Sequence, residues 1–191
     1  MLDIINNKTN EKSTEYDAAR IISEKIDEEL PSLQTKKDLF VKIFVECKCH
    51  GELPQDLDIV IIGNLKDWNF TVDPRFLKTS LNSFTCENFV LTVEVKAHPQ
   101  EKIRFQSGVA EVYYQNSGWH NATEQSDGQA RSLKNYFKKN DKINPNKLFV
   151  RNLIYFSNLK EKDFPKRPHN YICEENSFEE IMNIVLASGV K

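Results

Sequence analysis

Two residues apart in the apolar stretch Leu91-Thr92-Val93-Glu94-Val95-Lys96 stand a carboxylate and an ammonium. Side chains alternate faces along a strand, so Glu94 and Lys96 point the same way while Leu91, Val93 and Val95 fill the opposite face. A carboxylate beside an ammonium can hold a metal ion and a water. The same pattern also fits a half-buried strand whose wet face carries an ordinary ion pair.

Asp58 adds a second carboxylate, at the mouth of the apolar run Ile59-Val60-Ile61-Ile62-Gly63. A carboxylate there is costly to desolvate unless it is hydrogen-bonded, paired or metal-bound. If its strand neighbours that of Glu94, the two acids converge into an oxygen-rich site for a hard cation such as Mg2+, which keeps several waters and accepts one or two carboxylates. A cation so placed polarises a phosphodiester oxygen and lowers the pKa of a bound water. Lys96 beside it stabilises the hydroxide and the charge developing on phosphorus. Asp56 is the competing acid; Asp58 is assigned because it abuts the apolar run, with Asp56 as an outer supporting group. The plain alternative makes Asp58 a turn cap and Glu94–Lys96 a surface pair worth at most ~1 kcal/mol.

These residues need a scaffold, and the composition supplies one. The chain has 191 residues, 39% of them apolar and 10% aromatic, enough for one domain with a real core. Its 26 basic and 28 acidic side chains leave a formal charge of -2, so any nucleic-acid binding must be local rather than global. Four cysteines without an even framework, Cys47, Cys49, Cys86 and Cys173, fit a reduced, cytoplasmic protein. No apolar run approaches the ~18 residues of a membrane span, and the N-terminus lacks a signal-peptide core, so no membrane is expected.

Residues 1–13 read as a flexible N-terminus and 14–191 as a single domain. Ser13 or Thr14 caps a helix with Glu15 and Asp17 in its first turn, and Pro31 ends it. Strands follow at 39–48, 57–62 (closed by Gly63) and 89–97, then a hairpin of 109–114 with 119–122. A second helix is expected over 129–139, a buried strand over 148–156, a short edge strand over 171–173 and a closing helix over 178–186. This order is that of an α/β layer fold with a mixed central sheet flanked by helices, in which 59–62 is central. The chain stops just after its last helix, as a piece of a longer protein would.

Asp58 ahead of a buried strand, followed by Val93-Glu94-Val95-Lys96, resembles the metal-binding core of the PD-(D/E)XK nuclease superfamily, and more closely its nuclease-related domain (NERD) branch. Three further features match in order: a helix opening with Glu15, Trp119 after the lysine strand, and Gln129-Ala130-Arg131 opening the next helix. The match continues through Leu133, Phe137 and the 148–156 strand, and so covers roughly 14–156 and the last helix, which is most of the chain. It implies a restriction-endonuclease-like core and a Mg2+- or Mn2+-dependent enzyme, an endonuclease or nickase, that hydrolyses DNA phosphodiester bonds. Carried over, Asp58 and Glu94 are metal ligands, Lys96 the catalytic lysine, Gln129 a residue that positions water or substrate, and Glu15 a supporting carboxylate. Thr14 stands where the family has a smaller residue, which leaves Glu24 as a competitor for the place of Glu15. Gln129 equally fits a first-turn capping partner of Ser126 or Asp127.

Arg131, Lys134, Lys138, Lys139, Lys142 and Lys147 concentrate positive charge around the second helix. Beside the nuclease motif, Arg131, Lys134 and Lys138 are read as one helical face next to Gln129 that tracks a DNA backbone toward the metal. Tyr113, Tyr114, Trp119 and His120 could stack on bases or pack against the sheet. Cys47-Lys48-Cys49-His50 falls short of a zinc site, because Cys86 and Cys173 are remote. No glycine-rich phosphate loop is present, so ATP-driven work is not encoded here. One such site cuts one strand, and double-strand cleavage needs a homodimer or sequential nicking. The competing reading is a weakly active or inactive nucleic-acid-binding or interaction module attached to a helicase or an antiviral defence protein. RNA cleavage is the third, since it shares the metal chemistry and differs only in the groove; no residue recognisably reads a 2′-hydroxyl, so binding competition between DNA and RNA separates the two.

Overall fold

Branched residues in alternation set the central sheet. The computed structural model describes residues 1–6, 12–34, 38–66, 69–71, 83–85, 88–139, 150–166 and 169–187. Strand β1 is Leu2–Asn6, followed by helix α1 (Thr14–Glu29), β2 (Phe40–Lys48) and β3 (Asp56–Asn64). Two short strands, β4 (Asn69–Thr71) and β5 (Ser83–Thr85), pair with each other. Then come β6 (Asn88–Lys96), a small sheet of β7 (Ile103–Gln106), β8 (Val109–Tyr114) and β9 (Gly118–Asn121), helix α2 (Ala122–Lys138), β10 (Val150–Phe156), β11 (Tyr171–Ile172) and α3 (Phe178–Ala187).

The main sheet has six strands in the order β1-β2-β3-β6-β10-β11. It is mixed: β2, β3 and β6 run antiparallel in turn, while β1 lies parallel to β2, and β10 lies parallel to both β6 and β11. The apolar run 59–62 is therefore central, as its composition requires.

Helices cover both faces. Ala18, Ala19, Ile22 and Ile26 of α1 and Phe178, Ile181, Met182 and Val185 of α3 share one core with Val41, Ile43, Ile59, Ile61, Leu91 and Val93. On the other face Leu133 of α2 packs with Val60 and Val90, and the β7–β9 sheet buries Ala110 and Val112 against Ile154 and Phe156. Ser13 caps α1 by accepting from the Tyr16 N–H at 3.2 Å. Glu29 at the far end of α1 accepts from the N–H groups of Phe178 and Glu179 at 2.7 and 2.8 Å, which ties α3 to α1 through its dipole. Among the described residues no helix is long and apolar enough to cross a membrane.

Three expectations change. Residues 2–6 are not frayed but form the edge strand β1, whose start is fixed by the Met1 ammonium donating to Leu33 O and, at 2.9 Å, to Leu39 O. Helix α2 begins at Ala122, seven residues before Gln129, because the Asn121 side chain caps it by accepting from Glu124 N–H at 2.9 Å. Strands β4, β5 and β7 were not foreseen. Residues 148 and 149 of the expected strand, together with Cys86, Lys142, Lys147 and 189–191, lie outside the described residues.

Gly63 does not close its strand. It sits inside β3, paired with Phe89 of β6, whose ring lies across it: a Cβ on Gly63 would stand 2.3 Å from the ring. Phe89 is fully buried and packs toward Phe178, so it has little room to yield. Gly63→Ala should destabilise the fold by about 1–3 kcal/mol through overpacking. Urea unfolding measures it, and a change below about 0.5 kcal/mol would show that the ring moves freely.

Candidate active site

The sheet register brings the acids together. β3 pairs with β6 as far as Ile59 opposite Val93, so Asp58 stands across from Glu94 one step further on. There the Asp58 side chain takes over from the backbone ladder, its Oδ2 accepting from Val95 N–H at 2.8 Å. Glu94 and Lys96 share the strand face that α2 covers, and neither is wet: Glu94 is 1% exposed and Lys96 3%. The surface ion-pair alternative is thereby removed, because a buried pair must be fully satisfied to persist.

Helix α2 supplies that satisfaction. Gln129 Nε2 donates to Glu94 Oε2 and, at 3.5 Å, to Asp58 Oδ1, so one buried amide links the two carboxylates. Lys96 Nζ donates to Glu94 Oε1 at 2.5 Å, to Gln125 Oε1 at 3.0 Å and to the Tyr114 hydroxyl at 3.4 Å. Gln125 and Gln129 are four apart, one turn of helix, and therefore face the sheet together. Because α2 starts at Ala122, Gln129 is not a first-turn capping partner.

On the other side of Asp58, Glu15 from the first turn of α1 lines a cavity of about 80 Å³ with Glu46, Cys47, Asp56, Leu57 and Asp58. Glu46 has a left-handed φ of 52°, a strained setting for a non-glycine residue in a strand. Asp56 turns its carboxylate to solvent and pairs with Lys48 at 3.3 Å. Glu24 pairs with Arg20 on the exposed face of α1. Glu15 is thus the helix acid at the site, and Asp58 the strand acid.

The basic residues lie elsewhere. At about 100° per residue, Arg131, Lys134 and Lys138 cluster on the side of α2 away from Gln129. All three are exposed whereas Gln129 is buried. They form one face, but not one beside the carboxylates, because the sheet claims the Gln129 side. Trp119 is likewise outside the site, on β9, with the Arg104 guanidinium 4.1 Å over its ring and Tyr113 at its edge.

Sequence reasoning missed Gln125 and the contact of Tyr114 with Lys96. The helix-start signature Asn121-x-x-Glu124 would have revealed the first, since it extends α2 back far enough to align Gln125 with Gln129. No short-range signal marks Tyr114, which a separate sheet carries to the site.

Burial dominates the electrostatics. It raises the Asp58 pKa, with Glu15 adding to the rise and the Val95 N–H, Lys96 and Gln129 opposing it. Burial and then the Asp58 charge push Glu94 up to about 7, against Lys96 and Gln129. For Lys96, burial alone would lower the pKa, but the charge and hydrogen bond of Glu94 outweigh it and hold the ammonium above its ordinary range. Groups shifted by burial together with a specific charge partner are candidates for a functional site. No protein-family model, curated protein or solved structure matches the chain.

Glu94 has a folded-state pKa near 7 against an ordinary 4.5, so the folded chain keeps a proton that the unfolded chain releases between those values. Stability from this group is therefore greatest below about pH 4.5 and declines as pH rises through 7. Thermal melts in chelator should show wild type losing ground to Glu94→Gln as pH goes from 5 to 8. Parallel melting profiles for the two proteins would reject the shift.

Proposed function

We propose that this chain is a metal-dependent nuclease that hydrolyses DNA phosphodiester bonds as an endonuclease or nickase, built on a PD-(D/E)XK-type, restriction-endonuclease-like core of the NERD kind. The observation that carries the reading is the buried Glu94–Lys96 pair with Asp58 opposite on the adjacent strand, both acids held by Gln129. The succession α1, β2, β3, β6, α2, β10 supports it, since three antiparallel strands and a helical crossover to a parallel strand present both acids and the lysine at one end of the two central strands.

The donor set suits a hard cation. Asp58 and Glu94 offer carboxylate oxygens, and Gln129 Oε1 is buried and takes no hydrogen bond among the described residues. A hard cation such as Mg2+ keeps most of its waters and needs only one or two protein carboxylates. Mg2+ or Mn2+ held by Asp58 and Glu94 would supply Lewis acidity and a more acidic water. Lys96 then places a permanent positive charge where the phosphorus gathers negative charge. With its pKa held up by Glu94, it serves as a charge stabiliser and not as the base. Gln129 fixes the spacing of the two acids and leaves an amide oxygen to orient water.

A second reading has one observation in its favour: Arg131, Lys134 and Lys138 face away from the carboxylates, as they would in a module that binds nucleic acid without cutting it, in the service of a helicase or defence protein. It requires salt-dependent DNA binding that ignores both chelator and Asp58→Ala.

Plasmid nicking separates the two. Wild type should nick DNA with Mg2+ or Mn2+ and not in chelator, while Lys96→Ala should be slower by roughly 100-fold or more. Equal cleavage by both proteins, or none by wild type, would sink the nuclease assignment.

A further inference from the structure

Lys96 has three ammonium protons, and their acceptors are unequal. Glu94 Oε1 at 2.5 Å and Gln125 Oε1 at 3.0 Å hold two of them firmly, while the third contact, to the Tyr114 hydroxyl at 3.4 Å, is at the limit of a hydrogen bond. Tyr114 therefore adds little to holding Lys96. It shows where the third proton points.

The half-buried phenol ring touches two imidazoles, His98 edge-on at 4.6 Å and His120 edge-on at 4.9 Å, and His120 Nε2 is within 2.6 Å of Ser117 Oγ. Tyr114 comes from β8, in the small β7–β9 sheet inserted between β6 and α2, and the main sheet needs no such excursion to complete its pairing. The strand end that carries Lys96 is also clamped. Ser157 N–H donates to Lys96 O at 3.1 Å, and Asn158 Nδ2 donates to Ala97 O at 3.0 Å. In the contact with Lys96 the phenol oxygen accepts, so its own O–H proton is left to be donated to something else.

We infer that the Tyr114 hydroxyl and the third Lys96 proton form a two-donor subsite for one non-bridging oxygen of a phosphodiester. The inference rests on the nuclease reading above and adds to it a catalytic residue, a neutral donor beside the lysine. An arriving phosphate oxygen displaces the long Lys96–Tyr114 contact, which costs little, and receives one hydrogen bond from each group. No proton is transferred. Both bonds strengthen as charge builds on that oxygen, so the subsite favours the transition state over the bound substrate.

Tyr114→Phe tests this, since the ring and its packing against the imidazoles are kept and only the hydroxyl goes. Nicking with Mg2+ should show kcat reduced roughly 100-fold. The Kd for a fluorescent duplex oligonucleotide with Ca2+ in place of Mg2+ and the melting temperature should stay near wild type. Tyr113→Phe, which alters the neighbouring phenol on the Trp119 side, should cut at the wild-type rate. A Tyr114→Phe kcat within twofold of wild type, or a loss matched by weaker DNA binding or lower melting temperature, would overturn the subsite while leaving a Lys96-dependent nuclease standing. Absence of wild-type cleavage, or cleavage indifferent to Lys96→Ala, would remove the nuclease reading and the subsite with it.

Discussion

Three charged side chains, Asp58, Glu94 and Lys96, meet where β3 pairs with β6, and accommodating them constrains the elements around them. Taking an ion out of water costs several kcal/mol even after relaxation, and mutual attraction repays that only when the remaining lone pairs and protons find partners. The sheet supplies one, the Val95 N–H to Asp58. The others come from outside the strands. Gln129 bridges the two acids and Gln125 takes a Lys96 proton, so α2 must run along this face with two glutamines one turn apart. That in turn requires the helix to begin before Gln125, as the Asn121 cap ensures.

A hydrophobic trio of the same volume would fit this interior with no desolvation cost, and replacements of that kind are often neutral or stabilising by about 1–4 kcal/mol. Stability alone therefore gives no reason for Glu94 and Lys96 to be buried beside the half-buried Asp58. The neighbourhood adds to the cost, with Glu15 and a strained Glu46 lining the cavity on the far side of Asp58. Charge concentrated in this way, at one end of the two central strands of a well-packed sheet, is the arrangement expected of a site for a charged ligand.

Much of this was legible in the sequence because it is local. Alternation along 89–97 placed Glu94 and Lys96 on one face, and the branched run 59–62 marked a central strand with Asp58 at its mouth. The Ser13 cap and Pro31 set the limits of α1. What was not legible depends on contacts between distant segments. The burial of Glu94 and Lys96 follows from α2 lying over β6, which no pattern within β6 reveals. Gly63 reads as a strand end, yet it continues the strand because the Phe89 ring covers it from the neighbouring strand. Ser126-Asp127-Gly128 reads as the approach to a helix over 129–139, yet it lies within α2, where Ser126 Oγ donates to Leu153 O and Gly128 gives Pro54 room. Tertiary contacts outweigh local propensity at each of these points.

The polarity of the site decides how a polyanion could enter it. Lys96 pairs with Glu94, while Glu15 and Glu46 stand close behind Asp58, so acids outnumber this cation among the described residues around the site and disfavour an approaching phosphate. The exposed basic face of α2 cannot relieve this, because it points away from the acids and is screened by salt within about 10 Å. A divalent cation relieves it directly, adding two positive charges between the acids and the substrate. In the proposed nuclease reading, with burial pushing Glu94 up to about 7, a cation held there would compete with a proton for that oxygen, and its occupancy would rise with pH across the neutral range. In the nuclease reading, metal binding and phosphate binding are then coupled by charge balance alone: the ion that completes the chemistry is also what makes the site approachable.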